Sequence, residues 1–187
     1  IKGDVLKKDI FKKIQREILN HKEKVFVVSN LPYNIAIIIL SKLLANRKLI
    51  KEMILMFQEE QANRIIAKKK TKDYGRISII AQWLCYIEKK IKLSPNYFFP
   101  KPKINSSILL FKFKRKIKNA YNEELLLEII KKSFNQRRKT IKNSLKSYGA
   151  ILEEALNQSK IKENSRPEEL DPDNFINLSN SLNNLKK

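Results

Sequence analysis

Residues 25–40, VFVVSNLPYNIAIIIL, hold two apolar runs split by a short polar junction. The first, Val25–Ser29, is β-branched and continuous, as expected of a strand buried on both faces. The second, Ile35–Leu44, is long enough for a buried helix. Between them stand Ser29, Asn30, Leu31, Pro32 and Tyr33, an amide, a proline and an aromatic ring at the point where a strand hands over to a helix. The same alternation continues downstream. Met53–Phe57 has the character of a short buried strand, and EEQANRIIAKK places Ala62, Ile65 and Ile66 at helical spacing. ISIIAQWLC puts Ile77, Ile80, Ala81 and Leu84 on one predicted helix face, and residues 87–93 then alternate as a half-exposed strand does. A proline-stiffened loop, NYFFPKPKINS, leads to a last strand, SILLFKFK. Strands alternating with helices predict an open, mostly parallel α/β sheet. The last two strands are too close in sequence for a crossover helix and are predicted to pair antiparallel.

Beyond residue 117 only helical patterns remain. Asn122 can cap a helix with Glu123 and Glu124 in its first turn and Leu126, Ile129, Ile130 and Phe134 as its buried stripe. A second helix is predicted over 137–148 with Ile141, Leu145 and Tyr148 inward. Ser165 with Glu168 forms a possible capping box, and Asp171-Pro172 marks another helix start. The expected organisation is an α/β domain, residues 1–117, followed by a small helical domain, residues 118–187.

The 187 residues carry 40 Lys+Arg against 19 Asp+Glu, a formal net charge of +21. Part of the lysine content is of the kind an AT-rich genome imposes; the remaining surplus favours a polyanionic partner, nucleic acid first. Arg138, Lys142 and Lys146 are spaced i, i+4, i+8, the dense Arg137-Arg138-Lys139 run precedes them, and Lys68, Lys69, Lys70, Lys72 and Arg76 form a second cluster. Such dispersed cations suit the phosphates of a folded RNA. Cys85, the single cysteine, lies in an apolar run and is expected to be a small buried hydrophobe; with no disulfide possible, a reducing, cytoplasmic setting is expected. His21, the single histidine, is expected in a solvated loop. A zinc site and a Ser-His-Asp triad are both excluded by these counts. No apolar run reaches membrane-spanning length.

The junction itself suggests chemistry on an amine. The exocyclic amine of a nucleobase is a poor nucleophile because its lone pair is delocalised into the ring. Two acceptors, the Asn30 carboxamide oxygen and the Leu31 carbonyl, can hold its N–H groups and localise that pair. Pro32 fixes φ and brings no competing donor. Tyr33 offers a flat face for an extruded base. Cationic charge growing on the nitrogen is matched by carbonyl dipoles and a π face, without metal or shifted base.

Asn-Leu-Pro-Tyr after an apolar strand resembles the catalytic motif of S-adenosylmethionine-dependent adenine-N6 methyltransferases. GDVLKKD (3–9), FQEEQANRI, KDYGRISIIAQWLC and FFPKPKINSS, with Phe98, Pro100, Pro102, Ile104 and Ser106, resemble further segments of the rRNA adenine dimethyltransferase A group. NQRRKTIKNSL (135–145) and RPEELDPDNFINL are similar to its helical domain. The resemblance implies a Rossmann-like class I methyltransferase sheet, a helical rRNA-binding domain and S-adenosylmethionine as methyl donor. It also implies dimethylation of two adjacent adenosines near the 3′ end of 16S rRNA in the 30S subunit, by a monomer. Asp4 and the Val5 N–H would hold the cofactor's adenine, Asn30 would border the cofactor and with the Leu31 carbonyl hold the target amine near its methyl sulfonium, and Tyr33 and Phe98 would sandwich the flipped base. Lys72, Arg76, Arg137, Arg138, Lys139 and Lys142 would meet the RNA. The family's glycine-rich loop and ribose-binding acid have no counterpart here, so the sheet is expected to be incomplete at its N-terminus. A fragment that holds the cofactor weakly and is marginally stable or self-associating is the expectation. A non-catalytic ribosome-assembly module and a DNA adenine methyltransferase stand as alternatives.

Overall fold

The computed structural model describes residues 3–19 and 24–186; His21 lies outside them. The chain forms two compact units, residues 1–66 with 84–115, and residues 67–83 with 116–187. The units are therefore not consecutive stretches divided near residue 117. Within the second unit, the Trp83 indole N–H donates to the Lys118 carbonyl at 3.0 Å and the Gln82 amide to the Ala67 carbonyl at 2.8 Å, which binds 67–83 to the helical part.

The first unit is α/β. Helix α1 (Lys8–Leu19) precedes β1 (Val25–Asn30), α2 (Ala36–Ala45), β2 (Ile50–Gln58) and α3 (Glu59–Ile66); α4 (Arg76–Leu84) leads in from the second unit, and β3 (Cys85–Leu93) and β4 (Ser106–Phe113) complete the sheet. The strand order is β1-β2-β4-β3. β1 and β2 are parallel, while β4 is antiparallel to both of its neighbours. Hence β1, β2 and β3 run one way, as the crossover pattern predicts. The pairing is nevertheless mixed, because the short β3–β4 connection returns β4 reversed into the space beside β2. Leu55, Phe57, Leu109 and Phe111 are fully buried in this sheet, and α2 buries Ala36, Ile39, Leu40, Leu43 and Leu44. Cys85 is buried as expected, and burial pushes its thiol up to about 12.

Two expectations need correction here. β1 is not buried on both faces: it is an edge strand among the described residues, with Phe26 57% and Val28 75% exposed. On α4 the buried side chains are Ser78, Ile79, Ala81, Trp83 and Leu84, so Ile77 and Ile80 sit at the margin of that face rather than at its centre. Helix α1 escaped the sequence reading because lysines interrupt its apolar stripe of Ile10, Phe11, Ile14 and Ile18.

In the second unit, α5 (Glu123–Asn135), α6 (Ile141–Ser144), α7 (Ile151–Gln158) and α8 (Pro172–Leu185) follow. Asn122 caps α5, its side chain accepting from the Leu125 N–H at 3.0 Å, a contact of about 1 kcal/mol. Asp171 caps α8 through the Asn174 N–H, with Pro172 at the first helical position. Tyr74 meets Phe134 edge to face at 6.4 Å, and Phe134 meets Phe175 in a tilted contact at 6.1 Å, in this core. The helix expected over 137–148 is broken. After α5 the chain turns, Lys139 N–H bonding the Gln136 carbonyl at 2.8 Å, and Thr140 caps the short α6 through the Asn143 N–H. Arg138, Lys142 and Lys146 thus do not line one helix, although Ile141, Leu145 and Tyr148 are buried as expected. The capping pair near 165 is also displaced by one residue: Glu169, not Glu168, accepts from the backbone N–H of Arg166, at 2.8 Å.

Candidate active site

The register brings the functional segments to one end of the sheet. Asn30 closes β1 opposite Met56, Gln58 closes β2 opposite Ser106, and Leu93 closes β3 opposite the same Ser106. The carboxyl ends of three strands therefore meet where loop 94–105 begins and ends, the position at which open α/β sheets bind ligands. The junction turns at once into α2, with the Ile35 N–H donating to the Pro32 carbonyl at 3.1 Å.

Asn30, Leu31, Pro32 and Tyr33 line a cleft of about 290 Å³ together with Phe98, Phe99, Pro100 and Pro102. All five residues expected at the reacting centre are thus in one cleft. The Leu31 side chain is buried and anchors the turn, while Asn30 is exposed. Neither the Asn30 carboxamide nor the Leu31 carbonyl has a hydrogen-bond partner among the described residues, so both acceptors remain available. Tyr33 is fixed at two points. Its hydroxyl and the Ser106 Oγ share a hydrogen bond of 2.6 Å, and its carbonyl accepts from the Gln61 side-chain amide at 2.8 Å. Sequence reading had Ser106 only as part of a loop pattern and missed Gln61. The available signal was a polar side chain beside the buried Ala62 on the first helix after β2.

Loop 94–105 is tied down by Glu59. Its backbone N–H donates to the Asn105 carbonyl at 2.9 Å and its carboxylate accepts from the Asn105 amide at 3.0 Å. Lys92 and Lys89 pair with the same carboxylate at 2.8 and 3.5 Å. The hydrogen bonds from Lys92 and Asn105 hold the Glu59 carboxyl below its usual range.

Asp4 and Val5 are not among the residues lining this cleft. One Asp4 carboxylate oxygen accepts from the Leu6 N–H at 2.8 Å, and the Lys42 ammonium reaches the Leu6 carbonyl. Val5 borders a separate apolar cleft of about 270 Å³ with Ile10, Phe11, Ile14 and β1 residues Val25 to Val28.

The cations expected to meet RNA lie in the second unit and fall into two groups. Lys72, Arg76, Arg138 and Lys139 are exposed and have no side-chain partner among the described residues. Arg137 and Lys142 are engaged. The Arg137 guanidinium donates to Glu168 at 2.8 Å, to the Lys72 carbonyl at 2.5 Å and to the Thr71 carbonyl at 3.0 Å. Lys142 bridges Glu153 and Glu163, which raises its pKa and lowers that of Glu153. Among the described residues no helix is long and apolar enough to cross a membrane.

Residues 1–184 match the family described as ribosomal RNA adenine dimethylase. The ribosomal RNA small subunit methyltransferase A of Wolbachia sp. subsp. Drosophila simulans is 37% identical over 178 residues, 95% of this chain and 65% of that protein. Its counterpart in Pseudomonas aeruginosa is 35% identical over 184 residues, 98% of this chain and 66% of the relative. The chain thus spans just under two thirds of the length of these relatives. A dimethyladenosine transferase from Plasmodium falciparum superposes with a TM-score of 0.67 at 20% identity, over 92% of this chain and 78% of that one. The 23S rRNA methyltransferase ErmE does so with 0.61 at 20% identity, over 95% and 80%. These two show that the chain shares their Rossmann-like fold, and the match over residues 1–184 shows that the chain belongs to the ribosomal RNA adenine dimethylase family.

Proposed function

We propose that the protein carrying this chain dimethylates the N6 amines of two adjacent adenosines near the 3′ end of 16S rRNA, in the 30S subunit, with S-adenosylmethionine as donor. It acts in the cytoplasm, as a monomer. The first unit carries the reacting centre and the helical part binds the rRNA. The observation that supports this most directly is the pair of uncommitted acceptors, Asn30 and Leu31, beside an aromatic cleft at the carboxyl end of β1. Membership of an rRNA-modifying family favours RNA over DNA as substrate.

The adenine of the cofactor fits Asp4 and Val5. One carboxylate oxygen of Asp4 and the Val5 N–H have no partner among the described residues, so an acceptor and a donor stand on neighbouring residues for the edge of a purine. When bound, the donor supplies a methyl carbon that the adenine nitrogen takes as the carbon–sulfur bond breaks. The chain's own contribution is positioning and charge. Asn30 and Leu31 accept the two N–H groups of the target amine and draw them out of the ring plane, which uncouples the nitrogen lone pair from the ring π system. Tyr33 and Phe98 flank the extruded base. The carbonyl dipoles stabilise the cationic nitrogen as it forms. The cleft lining holds no carboxylate or imidazole, so the released proton passes to water. Asn30→Ala should lower methyl transfer to unmethylated 30S subunits by about 10²–10³-fold, the loss typical of one deleted preorganised dipole, while leaving rRNA affinity intact. Unchanged transfer of radiolabelled methyl would refute this mechanism.

A further inference from the structure

The engaged and free cations of the second unit are interleaved, and their arrangement has a consequence for RNA binding. Residues 68–72 form an exposed loop with four lysines. Its backbone is held from residues 166–171 and from Arg137. The Lys70 N–H donates to the Glu168 carbonyl at 2.7 Å, with Lys70 at φ 69°, in the left-handed region that a lysine adopts only when its surroundings enforce it. The Lys69 ammonium pairs with Asp171 at 2.9 Å, and the buried Tyr74 hydroxyl donates to the Leu170 carbonyl at 3.0 Å. Arg137 completes the attachment: one planar fork bonds the carbonyls of Thr71 and Lys72 and the carboxylate of Glu168. What remains uncommitted is a set of exposed ammonium and guanidinium groups: Lys68, Lys70 and Lys72 on the loop, and Arg138 and Lys139 on the turn directly after Arg137.

Resting on the rRNA reading above, we propose that the loop 68–72 and the turn 138–139 form one preorganised phosphate-binding surface for folded RNA, in which Arg137 is a positioning residue rather than a phosphate contact. Its guanidinium is spent on holding the loop. The neighbouring lysines and Arg138 are thereby spaced without their having to be ordered by the RNA, which lowers the entropic cost of association. Compact ammonium groups dispersed over loops suit backbone phosphates, not base edges.

Glu168→Gln separates this proposal from simple charge attraction. Removing an anion from a basic surface should by Coulomb attraction alone tighten RNA binding. If Arg137 is a strut, the substitution loosens it and binding weakens several-fold. Amide hydrogen exchange on the full protein supplies a readout independent of RNA. Arg137→Ala and Glu168→Gln should each speed exchange over residues 70–74, whereas Arg138→Ala and Lys72→Ala should not. The last two should instead each lower the slope of log affinity against log salt for 16S rRNA by up to about one unit. Unaltered exchange in Arg137→Ala, or tighter rRNA binding by Glu168→Gln, overturns the strut. Salt slopes unmoved by Arg138→Ala and Lys72→Ala overturn the phosphate surface. Failure of the unsubstituted protein to bind rRNA, with loop exchange still responding to Arg137→Ala, overturns the RNA reading alone.

Discussion

Tyr33 and Ser106 form a pair whose removal should be unequal from the two sides. Their 2.6 Å hydrogen bond joins the turn after β1 to the first residue of β4. Ser106 is fully buried, whereas Tyr33 is half-exposed at the cleft. Tyr33→Phe deletes the phenolic hydroxyl and leaves the Ser106 hydroxyl in a dry site, so the full desolvation penalty applies, about 1–3 kcal/mol. Ser106→Ala leaves the Tyr33 hydroxyl orphaned instead, but it borders the cleft and recovers water, so the loss should be about 0.5–1.5 kcal/mol, the net worth of a neutral hydrogen bond. The double variant removes both partners and should cost no more than Tyr33→Phe alone, a coupling of about 1 kcal/mol in a double-mutant cycle. Urea denaturation, read from exchange of the β2–β4 ladder amides, measures all four proteins. The ring survives in Tyr33→Phe, so stacking on a 2-aminopurine placed at the target adenosine should persist. In Tyr33→Ala it should weaken by about 1–3 kcal/mol. Additive single effects, with no coupling, would mean that the bond does not fix the ring, and the account of a preset stacking face would fail.

Two further outcomes follow from the same framework. Gln61→Leu removes the donor to the Tyr33 carbonyl, but it also removes a buried Gln61 oxygen that has no partner. Stability should change by less than about 1 kcal/mol because the two effects offset each other, while methyl transfer falls about tenfold at unchanged rRNA affinity; a variant that turns over normally would show that Gln61 does not position Tyr33. For Asp171, burial raises the carboxyl pKa, but the Lys69 ammonium and the helix N–H groups outweigh it, leaving the value below 3.8. Its ionic contribution is therefore complete above pH 3.8 and is lost as pH falls through the folded value. Asp171→Asn keeps the cap, so it should cost only about 0.2–1 kcal/mol near neutrality, and the difference should vanish in strong acid. A difference that persists once the carboxyl is protonated in the folded protein would assign the effect to packing rather than to charge.

Where local chemistry decides the structure, the sequence was legible. The strands at 25–30, 50–58 and 106–113 follow from apolar, β-branched runs, and α5 and α8 from Asn122 and Asp171-Pro172, whose capping bonds involve residues only three positions away. Errors arose where two local signals competed. Around 137–148 the spacing of Ile141, Leu145 and Tyr148 suggests one helix, but Thr140 is itself a cap and starts a new one after a turn. Near 165 a serine hydroxyl looked like the cap, but the bond that forms runs from the Arg166 backbone, which any residue would carry. The exposure of Phe26 and Val28 could not follow from their composition, because burial of a strand face depends on what packs against it.

The site shows the same division. Asn30 to Tyr33 announces itself because an amide, a proline and an aromatic ring at a strand end are unusual together, and Phe98 belongs to a loop stiffened by prolines. Charge is equally visible in a sequence, but the commitment of a charge is not. Arg137, Arg138 and Lys139 are equivalent as composition, yet Arg137 alone meets carbonyls 65 and 66 residues away and a carboxylate 31 residues away. No local pattern encodes such partners. The choice of residue does carry some information. A lysine at 137 would bring one compact charge with no fixed fork, and it could not bond two carbonyls and a carboxylate in one plane. Within a dense basic segment the arginine that faces backbone carbonyls is thus suited to hold structure, and the lysines it spaces are suited to attract phosphate. Net charge overstates the number of cations open to a polyanion by those that the fold has already used.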